Sequence, residues 1–217
     1  MVASPDRPYD AARRRAAAAI VLCAALAFCV ALPATGLADQ AAPSASTAGQ
    51  LLVAARSMPD GRFAHTVIYM LRHDETGAMG VVVNRPIGDV PLAAMLEEFG
   101  LESDRVEGSI RVHYGGPVEG SAGFVLHSPD YLEPDSLAVD GGYALTTSVE
   151  VMRAIAGGGG PERSLLLFGY SGWGPGQLES EMQRDDWVVV PADEALVFGA
   201  DDAGKWDRAM ELRGVDL

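Results

Sequence analysis

The segment Thr66-Val-Ile-Tyr-Met-Leu-Arg-His-Asp-Glu-Thr-Gly-Ala-Met-Gly-Val-Val-Val-Asn84 decides the fold. Two runs rich in β-branched and large apolar side chains, residues 66–72 and 79–84, flank the polar stretch 74–77. Two such strands joined by a short polar stretch form an antiparallel hairpin, and Gly77 can adopt the positive φ that a tight turn needs. We therefore predict a β-hairpin over this segment.

Working outward, short apolar runs alternate with helical patterns. Apolar residues at helical spacing between Leu92 and Phe99 predict a helix that Gly100 ends. The capping-box sequence Thr147-Ser-Val-Glu150 opens another helix, which the glycines at 157–160 end. Further strands are predicted at 51–55, 110–114, 123–127, 143–146, 164–170 and 187–190, and further helices at 176–184 and 204–213. This mixture of hairpins and scattered helices indicates an α+β domain rather than a doubly wound parallel sheet.

The charge of the chain restricts its partners. The 217 residues carry a formal net charge of −14, and residues 1–38 contribute four arginines and two aspartates to it. Residues 39–217 therefore hold 12 basic and 28 acidic side chains, a net charge of −16. Nonspecific affinity for nucleic acid comes mainly from neutralising phosphates, so this acidic surface disfavours nucleic acid as a partner.

Residues 1–38 have the pattern of an export signal. Three arginines, Arg13 to Arg15, precede an uncharged apolar run that ends in small side chains at Ala38. Such a segment is typical of a signal peptide, here cleaved after Ala38, or of a membrane anchor that stays attached. The preceding arginines predict that the domain lies in the periplasm or at the outer face of the inner membrane. Contact with a membrane is expected only through this segment, if it is uncleaved.

The remainder of the chain is predicted to be a flexible linker and one domain. Residues 39–48 are rich in Ala and Ser, which is typical of a linker, and the domain spans residues 49–217. Both cysteines, Cys23 and Cys29, lie in the leader. A processed chain would therefore have no thiol for a disulfide, a zinc site or a nucleophile.

Ser171 is the one candidate nucleophile. It follows a predicted strand and precedes a predicted helix, as in the nucleophile elbow of a hydrolase. The pattern Gly-x-Ser-x-Gly is incomplete, because Trp173 stands at its final position. His113 and His127 are available as a general base, but nothing in the spacing selects either one.

Neither a metal nor a cofactor is predicted. The four histidines include no pair at the i, i+4 spacing that places two ligands on one helix face. Gly115-Gly116 lacks the further glycines of a dinucleotide fingerprint and the Lys-Ser/Thr of a phosphate loop. His73 lies in the predicted hairpin turn, where we expect it to be solvated.

An ordered set of motifs resembles the YqgE/AlgH proteins of bacteria. The matching stretches are Phe63-Ala-His-Thr-Val-Ile-Tyr69, Thr76-Gly-Ala-Met-Gly-Val-Val-Val-Asn-Arg-Pro86, Gly115-Gly-Pro117, Gly123-Phe-Val-Leu-His127, Thr146-Thr-Ser148, Gly169-Tyr-Ser-Gly-Trp173, Gly176-Gln-Leu-Glu-Ser-Glu181, Trp187, Pro191-Ala-Asp193 and Gly214-Val-Asp216. The resemblance implies a single α+β domain whose bifurcated, mostly antiparallel sheet forms a pseudo-barrel flanked by helices. It implies no established enzymatic activity, although a transcriptional-regulator label accompanies the AlgH name.

This chain departs from the family pattern in two respects. Asp60-Gly61 stands where members usually have Asp-Pro, and the leader precedes a domain that in most members begins the chain and looks cytoplasmic. A cytoplasmic location is therefore the alternative to export.

We expect a non-enzymatic binding or accessory protein with an unknown protein or small molecule as its partner. The predicted site lies where three Gly/Pro-rich strand ends meet: backbone N–H groups receive an anionic or carbonyl group, and aromatic side chains supply apolar contact. Its predicted residues are Asn84, Arg85, Gly115, Gly116, Pro117, Tyr170, Trp173 and Gln177. The alternatives are a serine hydrolase that uses Ser171 and a DNA-binding regulator, which the acidity disfavours.

Overall fold

Ten strands and five helices make up the regular structure of residues 46–213, the part of the chain described in this computed structural model. The strands are β1 (Gln50–Ala54), β2 (Val67–Asp74), β3 (Gly77–Val82), β4 (Pro86–Pro91), β5 (Ser109–Tyr114), β6 (Val118–His127), β7 (Leu137–Val139), β8 (Tyr143–Thr146), β9 (Ser164–Trp173) and β10 (Trp187–Pro191). The helices are α1 (Leu92–Glu98), α2 (Glu150–Ala156), α3 (Gln177–Gln183), α4 (Glu194–Phe198) and α5 (Lys205–Glu211). The predicted leader and linker residues 39–45 lie outside the described residues.

The strands form one curled sheet that divides at β9. Its main path has the order β10-β1-β2-β3-β9-β6-β8-β7, with antiparallel neighbours throughout. The first half of β9 also pairs in parallel with β5, which carries β4 on its other side. Gly169, with a φ of +74°, lies between the two halves, and only the second half of β9 pairs with β3. The predicted α+β class and the bifurcated, mostly antiparallel sheet are confirmed.

The central strands are buried on both faces, which explains their nearly continuous apolar sequence. Alternate residues of β1 and β2 face opposite sides because successive side chains of a strand point in opposite directions. One set packs under α4 and α5: Leu51, Val53, Val67, Tyr69, Leu196, Val197, Trp206 and Ala209. The other set packs against α3: Leu52, Ala54, Ile68, Met70, Leu178, Trp173 and Trp187. A third cluster joins α1 and α2 to β5, β6 and β9.

The predicted hairpin is confirmed. β2 and β3 pair from Ile68 opposite Val82 to Asp74 opposite Gly77, which leaves two residues for the turn. Gly77 has a φ of +127°, and a Cβ there would lie 2.2 Å from the Trp173 carbonyl oxygen. The position therefore requires glycine both for its conformation and for its closeness to β9.

His73 was wrongly predicted to be solvated. It belongs to β2 and is 8% exposed. Its Nδ1 lies 3.0 Å from Thr47 Oγ1, and its Nε2 lies 3.0 Å from Glu179 Oε1. The described end of the predicted linker, residues 46–48, thus lies against the body of the domain, with Thr47 buried.

Some predicted boundaries were also wrong. β9 continues to Trp173, three residues beyond its predicted end. The capping box of α2 does not form as predicted, because Ser148 Oγ rather than Thr147 accepts the Glu150 N–H (3.1 Å). β4, β7 and α4 were not predicted. Within residues 46–213, no helix is both long and apolar enough to cross a membrane.

Candidate functional site

Asn84 and Arg85 hold a loop, residues 58–65, against the sheet. The Asn84 side chain accepts the Val67 N–H and donates to the His65 carbonyl, each at 2.9 Å. The Arg85 guanidinium donates to the Arg62 and Ala64 carbonyls. Residues of this loop line two recesses, which hold most of the predicted binding side chains.

The first, which we call the arginine recess, has a volume of about 510 Å³. It is lined by Arg56, Ala64, His65, Asn84, Arg85, Asp202, Ala203, Trp206 and Asp207. Trp206 forms its floor: the Arg56 guanidinium lies 5.0 Å from the centroid of the indole ring, and the His65 ring meets it edge-on at 4.3 Å. The Trp206 N–H donates to the Ala54 carbonyl (2.8 Å), which fixes the indole.

The basic side chains of the arginine recess have no acidic partner among the described residues. Arg56 makes only its contact with the indole ring, and Arg85 donates only to carbonyl oxygens. His65 has a φ of +59°, an uncommon conformation for a residue other than glycine. His65 is exposed and lines the recess on a constrained backbone.

A buried ionic network supports the arginine recess from behind. Lys205 is fully buried, and its ammonium donates to the Val83 and Val197 carbonyls (2.8 and 3.0 Å) and to Asp202 (3.1 Å). Three acceptors satisfy the three N–H groups of an ammonium. Asp202 also contacts His113 Nε2 at 3.2 Å. Lys205 therefore neutralises Asp202 from within the protein.

His113 is neutral in this network. Burial lowers its pKa from the usual value, outweighing the opposing effect of Asp202. Its Nε2 faces a carboxylate while its buried Nδ1 has no hydrogen-bond partner in residues 46–213, so the proton belongs on Nε2. Burial likewise lowers the pKa of Lys205, against the effect of Asp202.

The second recess, which we call the tryptophan recess, has a volume of about 280 Å³. It is lined by Met58, Pro59, Asp60, Arg62, Phe63, Pro117, Gly172, Trp173, Gln177, Glu181, Arg184, Asp186 and Trp187. Trp187 meets Phe63 and Trp173 edge-to-face, with ring centroids 5.6 and 5.9 Å apart. Three aromatic rings at steep mutual angles thus form one side of this recess.

Glu181 joins the two tryptophans of this recess. Its Oε2 accepts the indole N–H of both Trp173 and Trp187, each at 2.8 Å. Its Oε1 accepts from Gln177 Nε2 at 2.9 Å. Gln177 in turn accepts the Gly174 N–H at 3.1 Å, which ties the turn after β9 to α3. The carboxylate therefore fixes the orientation of both indoles.

The strand ends that were predicted to form the site contact one another through backbone hydrogen bonds. The Arg85 carbonyl accepts the Tyr114 N–H, and the Gly115 carbonyl accepts the Val82 N–H, each at 2.8 Å. The Gly115 N–H itself donates to the Phe168 carbonyl (2.8 Å), so it is not free to receive a ligand as predicted.

The predicted side chains do not form one site. Asn84 and Arg85 line the arginine recess, whereas Pro117, Trp173 and Gln177 line the tryptophan recess. Gly116 packs against the backbone of β9, where a Cβ would lie 2.1 Å from the Tyr170 carbonyl carbon. Tyr170 packs half-buried against Phe124 and lines neither recess. The residues predicted for a single site are thus divided between two recesses with different linings.

Ser171 does not occupy a nucleophile elbow. It is fully buried inside β9, opposite Gly80 of β3, and the turn that leads to α3 follows three residues later. Its Oγ has no hydrogen-bond partner among the described residues, while His113 and His127 bond to Asp202 and Thr146. Ser171 therefore lacks both the exposure and the base of a hydrolase. Residues 46–213 also contain no group of three His, Cys, Asp or Glu residues that could hold a metal ion.

Most residues that line the recesses were not predicted, among them Arg56, His65, Glu181 and Asp202, and neither was Lys205 behind the arginine recess. Lys205 carried one signal, since it is the only lysine of the chain beside 15 arginines. Where arginine is the usual cation, a lone lysine marks a position that needs a compact ammonium.

Comparison with known proteins establishes the family. A model of the AlgH-like family matches residues 51–217, and this chain belongs to that family. A UPF0301 protein of Cereibacter sphaeroides is 46% identical over 169 residues, which cover 77% of this chain and 92% of that protein. Another, from Afipia carboxidovorans, is 45% identical over 192 residues, or 84% of this chain and 91% of the relative. The resemblance drawn from the motifs is confirmed.

Solved structures support the same fold. The AlgH protein of Pseudomonas aeruginosa is 38% identical, with a TM-score of 0.65 over 77% of this chain and 88% of that one. A protein of Corynebacterium diphtheriae, 22% identical, has a TM-score of 0.60 over 77% of this chain and 87% of its own. The second likeness concerns the fold alone.

Proposed function

We propose that this chain is a non-enzymatic binding protein that captures an anionic group, a carboxylate or a phosphate, in the arginine recess. The observation that carries the proposal is that, within residues 46–213, Arg56 and Arg85 have no acidic partner, although the chain has 30 acidic and only 16 basic side chains. Seven of the eleven arginines between residues 46 and 213 pair with an acid, and of the four that do not, two lie together at this recess. Two of them at one recess favour an anion from outside.

The charges at the arginine recess support this choice of ligand. Arg56 and Arg85 face Asp202 and Asp207, but Asp202 is already paired with the buried Lys205. One net positive charge therefore remains among the side chains that line the recess. Guanidinium groups match the planar geometry of carboxylate and phosphate oxygens, and their charge-assisted hydrogen bonds are stronger than neutral ones.

The lining of the recess favours binding over catalysis. Its side chains include no serine, threonine or cysteine, and Lys205 behind it donates all three of its N–H groups. Activation of a nucleophile requires a base within hydrogen-bond reach, and the lining offers no such pair. Its volume suits a small molecule or the acidic end of a peptide.

We further propose that residues 1–38 export the domain to the periplasm or hold it at the outer face of the inner membrane. The support is the sequence pattern of arginines followed by an uncharged apolar run. Cell fractionation with N-terminal sequencing should find a periplasmic protein beginning at Asp39, or a membrane-bound one that keeps Met1. A full-length protein in the soluble cytosol would refute export and leave the binding proposal untouched.

Binding itself is tested by titrating the protein with inorganic phosphate and, separately, with succinate at constant ionic strength. Saturable binding of either one is expected, and the comparison identifies the preferred anion. Arg56→Gln should weaken it about five- to tenfold, since a charge-assisted contact is worth on the order of 1–1.5 kcal/mol at a partly exposed site. Arg105→Gln, an equal charge change outside both recesses, is the matched control. Equal affinity in the two variants would contradict the proposal.

A further inference from the structure

We infer that the tryptophan recess is a second binding site, and that its ligand is a primary ammonium group on an alkyl chain. The site is separate from the arginine recess and has the opposite charge. Pairing among its own residues sets that charge. Arg62 lies 2.7 Å from Asp60, and Arg184 lies 2.9 Å from Asp186, so these four side chains neutralise one another.

Glu181 supplies the remaining charge. It forms no ion pair with any side chain of the described chain, and its partners are three neutral N–H groups. A carboxylate offers about four lone-pair positions, so about one remains, on Oε1. The recess thus holds one net negative charge and accepts about one further N–H donor.

The aromatic and apolar lining suits the rest of such a ligand. Met58, Pro59 and Pro117 offer contact to methylene groups, and the aromatic rings add apolar surface, although the Arg62 guanidinium already lies over the Phe63 ring, 5.9 Å from its centroid. Trp173 and Trp187 expose only 7% and 6% of their surface, so they form a rigid floor rather than a mobile lid. The hydrogen bonds from both indole N–H groups to Glu181 hold this floor in place without a ligand.

The volume of the tryptophan recess and its number of free acceptor positions favour an ammonium over a guanidinium. A volume of about 280 Å³ holds the end of one lysine-like chain. A guanidinium would bring five N–H groups to a site with about one free acceptor position, whereas an ammonium brings three. Fewer donors are left unsatisfied with the ammonium. A free polyamine and a lysine of another protein both present this group.

The test follows tryptophan fluorescence in a Trp206→Phe background, where both remaining tryptophans line the tryptophan recess. The probes are n-butylammonium, N-acetyl-lysine amide and putrescine, with sodium chloride matched throughout. n-Pentanol is the uncharged control. Butylammonium should give a saturable change in the millimolar range, the affinity expected for a ligand of five heavy atoms. Tighter binding of the capped lysine than of putrescine would indicate a protein partner, and the reverse would indicate a polyamine.

The charge of Glu181 is tested by a matched pair of variants. Glu181→Gln keeps an acceptor for an indole but removes the charge, and should weaken butylammonium binding about tenfold or more. Glu98→Gln, on the exposed surface of α1, should leave the affinity unchanged. Equal binding of pentanol and butylammonium, or unchanged affinity in Glu181→Gln, would overturn the inference. Neither result depends on anion binding at the arginine recess.

Discussion

Residues of one loop, 58–65, line both recesses, yet the charges of the two recesses are opposite. Both are lined by arginines and acids, so composition does not distinguish them. The pairing does: Lys205 neutralises Asp202 from inside the protein and leaves Arg56 without an acid, whereas Asp60 and Asp186 neutralise the arginines of the tryptophan recess and leave Glu181 without a cation. The charge that a recess presents therefore depends on which of its charged side chains are already paired, whether the partner lines the recess or lies behind it.

Removal of the buried ammonium should have the largest effect. Lys205→Met leaves Asp202 buried beside His113 without its main counter-charge, which should lower the free energy of unfolding by about 3–5 kcal/mol. Urea denaturation measures this loss. The double variant Lys205→Met/Asp202→Asn removes both charges and should recover part of it. A double variant no more stable than the single one would show that Lys205 acts by packing alone.

Removal of the carboxylate clamp should have the next largest effect. Glu181→Ala leaves two nearly buried indole N–H groups without an acceptor and should cost about 2 kcal/mol of stability. Glu181→Gln, which keeps one acceptor oxygen, should cost less than Glu181→Ala in the same urea measurement. Phosphate binding should survive in both variants, because the arginine recess is separate. A loss of phosphate affinity would mean that the two recesses are coupled.

The buried network behind the arginine recess also predicts that the stability of the protein depends on pH. The folded protein holds the pKa of His113 below its unfolded value near 6.5, so below that pH the unfolded chain binds more protons than the folded one. Stability should therefore fall as the pH drops from 7 towards 5. His113→Gln should flatten this slope. An equal slope in the unmodified protein and in this variant would rule out His113 as its source.

Arg56 should give the smallest effect on stability. Its guanidinium touches only the Trp206 ring, so Arg56→Gln should change the free energy of unfolding by no more than about 0.5 kcal/mol. Thermal unfolding, measured beside Arg105→Gln, checks this expectation. A larger loss would show that Arg56 supports the fold, and would weaken its assignment to ligand binding.

The sequence predicted the β2–β3 hairpin better than it predicted β4 or the second half of β9. The hairpin of β2 and β3 has long apolar runs and a short turn, and its local pattern agrees with its place in the fold. β4 begins at Pro86 and ends at Pro91, and proline indicates turns and edges rather than strands. β9 passes through Gly169 and Gly172, and its continuation through these glycines depends on pairing with β3 and β6, which no local pattern reveals.

The lining of the two recesses was predictable only in part, for a related reason. The motifs located Arg85 and Trp173 because these belong to segments with a recognisable local pattern. The partners that set the charge come from distant segments: Asp202 meets His113 across 89 residues, and Lys205 meets Val83 across 122. The glycine N–H groups expected to bind an anion are committed in part to the backbone, as at Gly115. Only the tertiary fold shows which groups remain unpaired.

The claim that the two recesses carry opposite charges is tested most directly by the indole N–H signals of the three tryptophans. These signals are recorded in a ¹H–¹⁵N spectrum of the whole protein. Single Trp→Phe variants assign the signals to Trp173, Trp187 and Trp206. Phosphate should shift the Trp206 signal and leave the other two in place, whereas butylammonium should shift the two signals that report on Glu181 and leave Trp206 unchanged. If both probes shift the same signals, or neither shifts any, the account of two oppositely charged sites is contradicted.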